Sequence, residues 1–242
     1  MGLLGVVGGH SILGVIGNDG TAFGHRVVRR TAHGVTGPVT VLDAGDHVLL
    51  QRHGLDGYVP AHRIDHARNM SALAAVGCDR VLALSSVGAL RRELRLGTHL
   101  APDDFIALDQ PPSAVHGDER SHVVPGFTPA WRAEVIEAWR GAGVSDVVDG
   151  GVYWQANGPR FETPAEIRLI SGFADVVGMT VGAECVAANE LGLGYAAVCV
   201  IDNLANGLDG EQLTPQQFAD GKQANQARVL EVLAAVLAVL VA

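Results

Sequence analysis

The chain has 242 residues, 48% of them hydrophobic and 18% charged, and a net charge of −9 at neutral pH. That length supplies one sizeable core and is short for two independent domains. An acidic balance with scattered arginines and no basic stripe excludes nucleic acid as a partner, while leaving room for a small anion in a local cationic pocket.

Leu3–Val7 reads as a buried strand ending in Gly8-Gly9; with no charged n-region ahead of it, it is not a signal peptide. Val39–Asp43 and His47–Gln51 flank Gly45-Asp46 and read as a hairpin. Asp65 caps a helix through Met70 and Leu73 that stops at Gly77. Arg80–Ser85 reads as a buried strand followed by a turn at Ser86-Val87-Gly88, and Phe105–Leu108 as a short strand. Residues 110–128 lack periodicity, and a loop of that length is usually functional or an interface element. A helix follows over Pro129–Gly141. Val147–Tyr153, Val176–Met179 and Ala196–Ile201 are apolar strands, separated by helices over 163–172 and about 183–191. Thr214 caps a last long helix with Pro215 at its first position. Its end, Val229 to Ala242, is apolar but interrupted by Glu231 and shorter than the roughly 20 residues a membrane span needs, so it reads as a core or subunit-contact helix. The expected fold is α/β, a single domain over residues 1–242 with a large mixed central sheet flanked by helices. Cys78, Cys185 and Cys199 lie in apolar surroundings without metal-site spacing and are expected as reduced, buried thiols.

The chemistry concentrates where strands end, the place where α/β sheets collect ligands. Gly8-Gly9-His10-Ser11 lets the backbone approach an anion, with a donor from His10 or Ser11. Arg52-His53-Gly54 sets a guanidinium beside an imidazole, Ser85-Ser86-Val87-Gly88 adds hydroxyls and amides, and Met179-Thr180 repeats the arrangement. Each alone has a bland reading as a glycine turn or a surface residue; together they call for a phosphate-sized anion. The stretch from Gly158 to Glu166 starts a helix with Thr163 as N-cap, Pro164 at the first position and Glu166 completing a capping box. Its rigid entry holds Phe161 and Glu162, a flat ring beside a carboxylate, as suits a planar heterocycle with an N–H donor; alone it reads more readily as a capped helix with a buried Phe and a solvated Glu. Asn203, after the Ala196–Ile201 strand, offers donor and acceptor to adjacent purine O6 and N7, or is a simple Asn turn. The ten histidines show no HExxH spacing and there is no GxSxG elbow, so metal and serine-hydrolase readings find no support.

Gly5-Val6-Val7-Gly8-Gly9, Arg52-His53-Gly54, Ser86-Val87-Gly88, Gly158 to Glu166 and Asp175 to Thr180, with Glu184 and Glu190-Leu191-Gly192-Leu193, make the chain resemble the purine nucleoside and methylthioadenosine phosphorylases. The resemblance implies phosphorolysis, in which nucleoside and phosphate give free base and a ribose 1-phosphate. It assigns phosphate to Arg52, His53, Ser86, the Val87 amide and Thr180, with Ser11 or His10 supplying the donor of the glycine loop. Met179 would pack on the ribose and Phe161 on the base. The assembly implied is a cytoplasmic trimer in which His122 reaches a neighbouring site. Glu162 with Asn203 resembles the 6-oxopurine pattern, and Leu213, Thr214 and Pro215, with Thr214 where mammalian-type members carry a histidine, make a less polar 5′ environment that suits a 5′-deoxy or 5′-methylthio nucleoside. No cofactor, metal or membrane partner is implied, inorganic phosphate being the co-substrate. Two alternatives stay open, a methylthioadenosine phosphorylase and a non-catalytic nucleoside-binding protein.

Overall fold

The computed structural model describes residues 2–9, 21–22, 25–108 and 115–242. In chain order its elements are β1 (Leu3–Gly8), β2 (Thr21–Ala22), β3 (His25–Arg26), β4 (Val28–Gly34), β5 (Gly37–Asp43), β6 (His47–Gln51), α1 (His66–Ala75), β7 (Cys78–Ala89), β8 (His99–Ala101) and β9 (Asp104–Ile106). There follow α2 (Pro129–Gly141), β10 (Val148–Asp149), β11 (Val152–Gln155), α3 (Pro164–Ile170), β12 (Val176–Gly178), α4 (Val181–Glu190), β13 (Gly194–Leu204) and α5 (Pro215–Leu240).

Eleven of the described strands form one mixed sheet. Its centre, β13-β7-β1-β6, is parallel, and antiparallel strands extend it on both sides, β8 beside β13 and β5 then β4 beside β6. Central strands buried on both faces read as continuous apolar runs, which is why LLGVV and RVLAL carry no alternation. The two faces still separate with period two. Leu82, Leu84, Ala196 and Val198 face α2 and α5, while Val81, Ala83, Ala197 and Cys199 face α1 and α4. Each fully buried Leu or Val contributes about 1.5–3 kcal/mol. Two aromatic N–H groups inside these layers are satisfied, Trp131 Nε1 donating to Val81 O at 2.8 Å and Trp139 Nε1 to His99 Nδ1 at 2.9 Å. All three cysteines are buried and unpaired, and burial pushes each thiol up to about 12.

The capping signals hold. Asp65 accepts from the Arg68 amide at the start of α1, and Thr163 and Thr214 both complete reciprocal capping boxes. Helix α5 lays Val229, Val232, Leu233, Val236, Leu237 and Leu240 on the core as one stripe, so its apolar end is a core element.

Three expectations need correction. Ser86-Val87-Gly88 is not a turn: β7 runs through to Ala89, because β13 pairs with it as far as Leu204, with one register shift that leaves Asp202 out of the ladder, and β12 joins at Gly88 and Ala89. Val147–Tyr153 is not one strand, since Gly150 and Gly151 adopt φ of 110° and 118° and divide it into β10 and β11, which pair with different neighbours. The Ala196–Ile201 strand continues to Leu204, so Asn203 lies within the strand and not in a turn after it. A fourth difference is smaller, the Phe105–Leu108 strand lying at Asp104–Ile106.

Candidate active site

The carboxyl ends of β1, β6, β7, β12 and β13 open on one cavity of about 280 Å³. One side is built for an anion. Arg52 directly follows β6, and its amide donates to Gly8 O at 3.0 Å, which ties the ends of β1 and β6 together. The guanidinium is buried, with Nε and Nη2 donating to the two carboxylate oxygens of Glu184 at 2.6 and 2.9 Å and Nη1 to Leu84 O at 2.6 Å. Tyr195 Oη donates to Glu184 Oε2 at 2.9 Å. Burial alone pushes the Glu184 carboxyl up, but the Arg52 guanidinium outweighs it and holds the carboxyl below its ordinary value. Burial likewise works against the Arg52 charge, and Glu184 reverses that. Such a pair costs desolvation and is kept only with full hydrogen bonding, which this one has.

Gly9, just after β1, brings the backbone close to this corner: a Cβ there would stand 3.2 Å from Arg52 Nη1, a tight contact, and 3.8 Å from His53 Nε2. His53 holds Val59 O through Nδ1 at 2.8 Å, and its Tyr58 neighbour stacks on the ring with centroids 5.4 Å apart. Burial first, and the positive Arg52 and Lys222 in addition, push its pKa down to about 4, so the ring is neutral at pH 7. Thr180 is the N-cap residue of α4 and makes no side-chain cap bond. The amides of Thr180 and Val181 donate to Tyr153 Oη at 3.1 and 3.4 Å, which fixes the start of α4 where Thr180 lines the cavity. Ser86 donates its hydroxyl to Asp202, a buried carboxylate also held by Asn225 Nδ2 at 2.7 Å.

The rest of the lining is largely aromatic and apolar with a few polar side chains. Phe161 and Phe218 meet edge to face, centroids 5.1 Å apart, and Met179 and Leu213 line the same wall. Gly158 has φ of 69°, a left-handed conformation that favours glycine, and a Cβ on it would fall 2.6 Å from Met179 Sδ, so a side chain there would also displace the methionine. Asn206 fixes the loop to the start of α5, its Nδ2 donating to Glu162 O at 2.8 Å and its Oδ1 accepting from Leu213 N at 2.9 Å. The Glu162 carboxyl lines the cavity half-buried, and burial pushes its pKa up. Asn203 Nδ2 donates to Leu204 O at 2.8 Å and lies over Gly88, where a Cβ would stand 3.2 Å away.

Arg52, His53, Ser86, Val87, Phe161, Glu162, Met179, Thr180 and Asn203 are therefore brought to one cavity. His122 is not: it is exposed, at the end of the turn Glu119–Ser121, outside the cavity of its own chain. His10 and Ser11 lie outside the described residues. Sequence reading missed Phe218, Lys222, Tyr58 and Asn206. The signal for the first two was the i, i+4 spacing of Phe218 and Lys222 just after the Thr214 cap, which puts both on one helix face.

Comparison with known proteins agrees with this geometry. The sequence profile of the phosphorylase superfamily matches residues 13–238. The chain belongs to the phosphorylase superfamily. It is 40% identical over 192 residues to a protein named Probable 6-oxopurine nucleoside phosphorylase from Archaeoglobus fulgidus, covering 79% of each chain. It is 35% identical over 202 residues to one named Probable S-methyl-5'-thioinosine phosphorylase from Methanosarcina acetivorans, covering 82% of this chain and 77% of the relative. The 6-oxopurine nucleoside phosphorylase of Pyrococcus furiosus is 32% identical over 221 residues, 82% of this chain and 80% of that one. Among solved structures, methylthioadenosine phosphorylase from Schistosoma mansoni in complex with adenine superposes with a TM-score of 0.82 at 21% identity, over 98% of this chain and 91% of that one, and so shares the fold.

Proposed function

We propose that this superfamily member is a 6-oxopurine nucleoside phosphorylase. It would use inorganic phosphate to cleave inosine- or guanosine-type nucleosides to free base and ribose 1-phosphate or its 5-substituted analogue. One observation carries the reading: Glu162 and Asn203 line the same cavity as Arg52, His53, Ser86 and Thr180. A 6-oxopurine has an N1–H to donate to Glu162, and a 6-aminopurine does not. Hydrogen bonds to a charged partner are worth about 1.5–3 kcal/mol, which sets roughly ten- to hundredfold discrimination. A Glu162 left facing a bare N1 pays a desolvation penalty in addition.

As the glycosidic bond breaks, positive charge grows at the sugar and negative charge on the base. Phosphate held in the anion corner sits against the first, and the second proton on Asn203 Nδ2 is available to the leaving purine. Met179 packs on the ribose and Phe161, with Phe218 at its edge, on the base. Binding of phosphate by Ser86 requires its hydroxyl to leave Asp202 or to accept at its other lone pair, and the Val87 amide and the Thr180 hydroxyl, which makes no cap bond, supply further donors.

A 5′-methylthio nucleoside with the same base is the second reading. Thr214 Oγ1 is occupied within the capping box, accepting from Gln217 N at 3.2 Å, and the wall beside it is Leu213 and Phe218. That environment favours a thioether over a hydroxyl. The assembly proposed is a cytoplasmic homotrimer, serving purine salvage, in which the exposed His122 reaches the neighbouring site. Steady-state phosphorolysis of inosine, guanosine, methylthioinosine and methylthioadenosine is the test. Preference for the 6-oxo pair is expected, and Asn203→Asp should move it toward adenine nucleosides. Preference for methylthioadenosine in the unaltered enzyme would overturn the base assignment, and nucleoside binding without phosphate-dependent release would overturn catalysis.

A further inference from the structure

Lysine occurs once in this chain, at position 222; every other member of its 17 lysines and arginines is an arginine. That single lysine lines the cavity. It stands on α5 one turn after Phe218, and its Nζ lies 5.1 Å from the centroid of the Phe218 ring. It makes no hydrogen bond or ion pair with the described residues. The Asp202 carboxylate attracts it from a distance, while its own oxygens are taken by Ser86 and Asn225.

The charge balance of the cavity gives that placement a meaning. Arg52 spends two nitrogens on Glu184 and the third on Leu84 O, so the buried pair is close to neutral as a unit. His53 is uncharged at neutral pH. Glu162 adds negative charge. Among the described lining residues, Lys222 is then the one cation without a carboxylate in contact. Phosphate brings one to two negative charges into a partly desolvated space, where an unbalanced anion is costly. A lysine suits the task, since its compact ammonium on a four-carbon stem follows an anion without a fixed fork geometry.

We propose that Lys222 is the counter-ion of the phosphate co-substrate, a binding residue reaching in from α5 to complete a corner that the Arg52–Glu184 pair leaves electrically neutral. The assignment rests on the phosphorolytic reading above. Initial rates over a phosphate series at saturating inosine, for the unaltered enzyme, Lys222→Met and Lys222→Arg, test it directly. Lys222→Met should raise KM for phosphate at least tenfold while the inosine KM and kcat move less than threefold, and Lys222→Arg should recover most of the loss. A purely structural lysine would lower kcat and thermal stability without that selective change.

A second measurement keeps the proposal falsifiable if the variants fold poorly. Acetylation of the unaltered protein, followed at Lys222 by peptide mass spectrometry, should be slowed at least fivefold by inorganic phosphate and not by chloride at equal ionic strength. Unchanged phosphate KM in Lys222→Met, or labelling indifferent to phosphate, overturns the proposal. If no purine nucleoside is cleaved but phosphate still protects Lys222, the functional reading fails and the anion site stands.

Discussion

The two halves of the cavity are built by different means. The anion half sits on strand ends and a helix terminus, with Arg52, Glu184 and Thr180 all buried. The base half is a loop and the first turn of α5, with Phe161, Glu162 and Phe218 only partly covered. Elements in the sheet cannot shift without breaking ladder bonds, whereas the loop from Gly158 to Glu162 is held by the Asn206 bridge and the α3 cap. The contrast separates a sheet-anchored, general holder for phosphate from a loop-built reader of the nucleoside.

Glu184→Gln should have the largest effect, because it removes one partner of a buried pair and leaves Arg52 uncompensated. A loss of about 3–5 kcal/mol in urea unfolding is expected, with loss of phosphate affinity. If stability were kept, the anion half would not owe its rigidity to the pair. Next comes pH. His66, buried beside this pair with Nδ1 3.8 Å from Glu184 Oε1, is pushed by burial down to about 4, as is His53. A histidine depressed in the folded state contributes stability that is complete above pH 6.5 and is lost as pH falls toward 4, because the unfolded chain takes up the proton first. Each pH unit of depression is about 1.4 kcal/mol, so His66 alone accounts for about 3 kcal/mol across that window. Thermal melts from pH 7.5 to 4 should show the decline, and a flat profile would remove the anion half's claim to histidines held neutral by burial.

Glu162→Gln tests the base half and should leave the melting temperature within a few degrees. Its kcat/KM for inosine should fall roughly ten- to hundredfold, with little change for any residual adenosine activity. Equal losses on both bases would show that Glu162 holds the loop and does not read N1. Thr163→Ala has the smallest effect. It removes an exposed cap and costs about 1 kcal/mol of stability. Any change in substrate parameters should appear in nucleoside KM and leave phosphate KM alone.

Much of the anion half was legible beforehand because strand ends carry compact local signals. Arg52-His53, Ser86 and Met179-Thr180 each follow or end an apolar run, and the structure brings all of them together. The capping boxes at Thr163 and Thr214 were equally readable, since their donors and acceptors lie within four residues. The pairing of Arg52 with Glu184 was not, being 132 residues apart in the chain. Nor was the extension of β7 through Ser86–Gly88, where a small, polar stretch looks like a turn until β13 supplies its ladder.

What the sequence determined by itself was the local chemistry: the two-sided apolar strands, the capped helices, the glycines at close approaches, and a ring and carboxylate held ahead of α3. Tertiary structure alone decided the charge of the site. It neutralised Arg52 with a distant carboxylate, kept His53 uncharged by burial, and swung Phe218 and Lys222 of α5 across the sheet into the same cavity. Those outcomes depend on desolvation and on contacts between remote segments, which exist only once the sheet has assembled and water has been excluded from the ends of its strands.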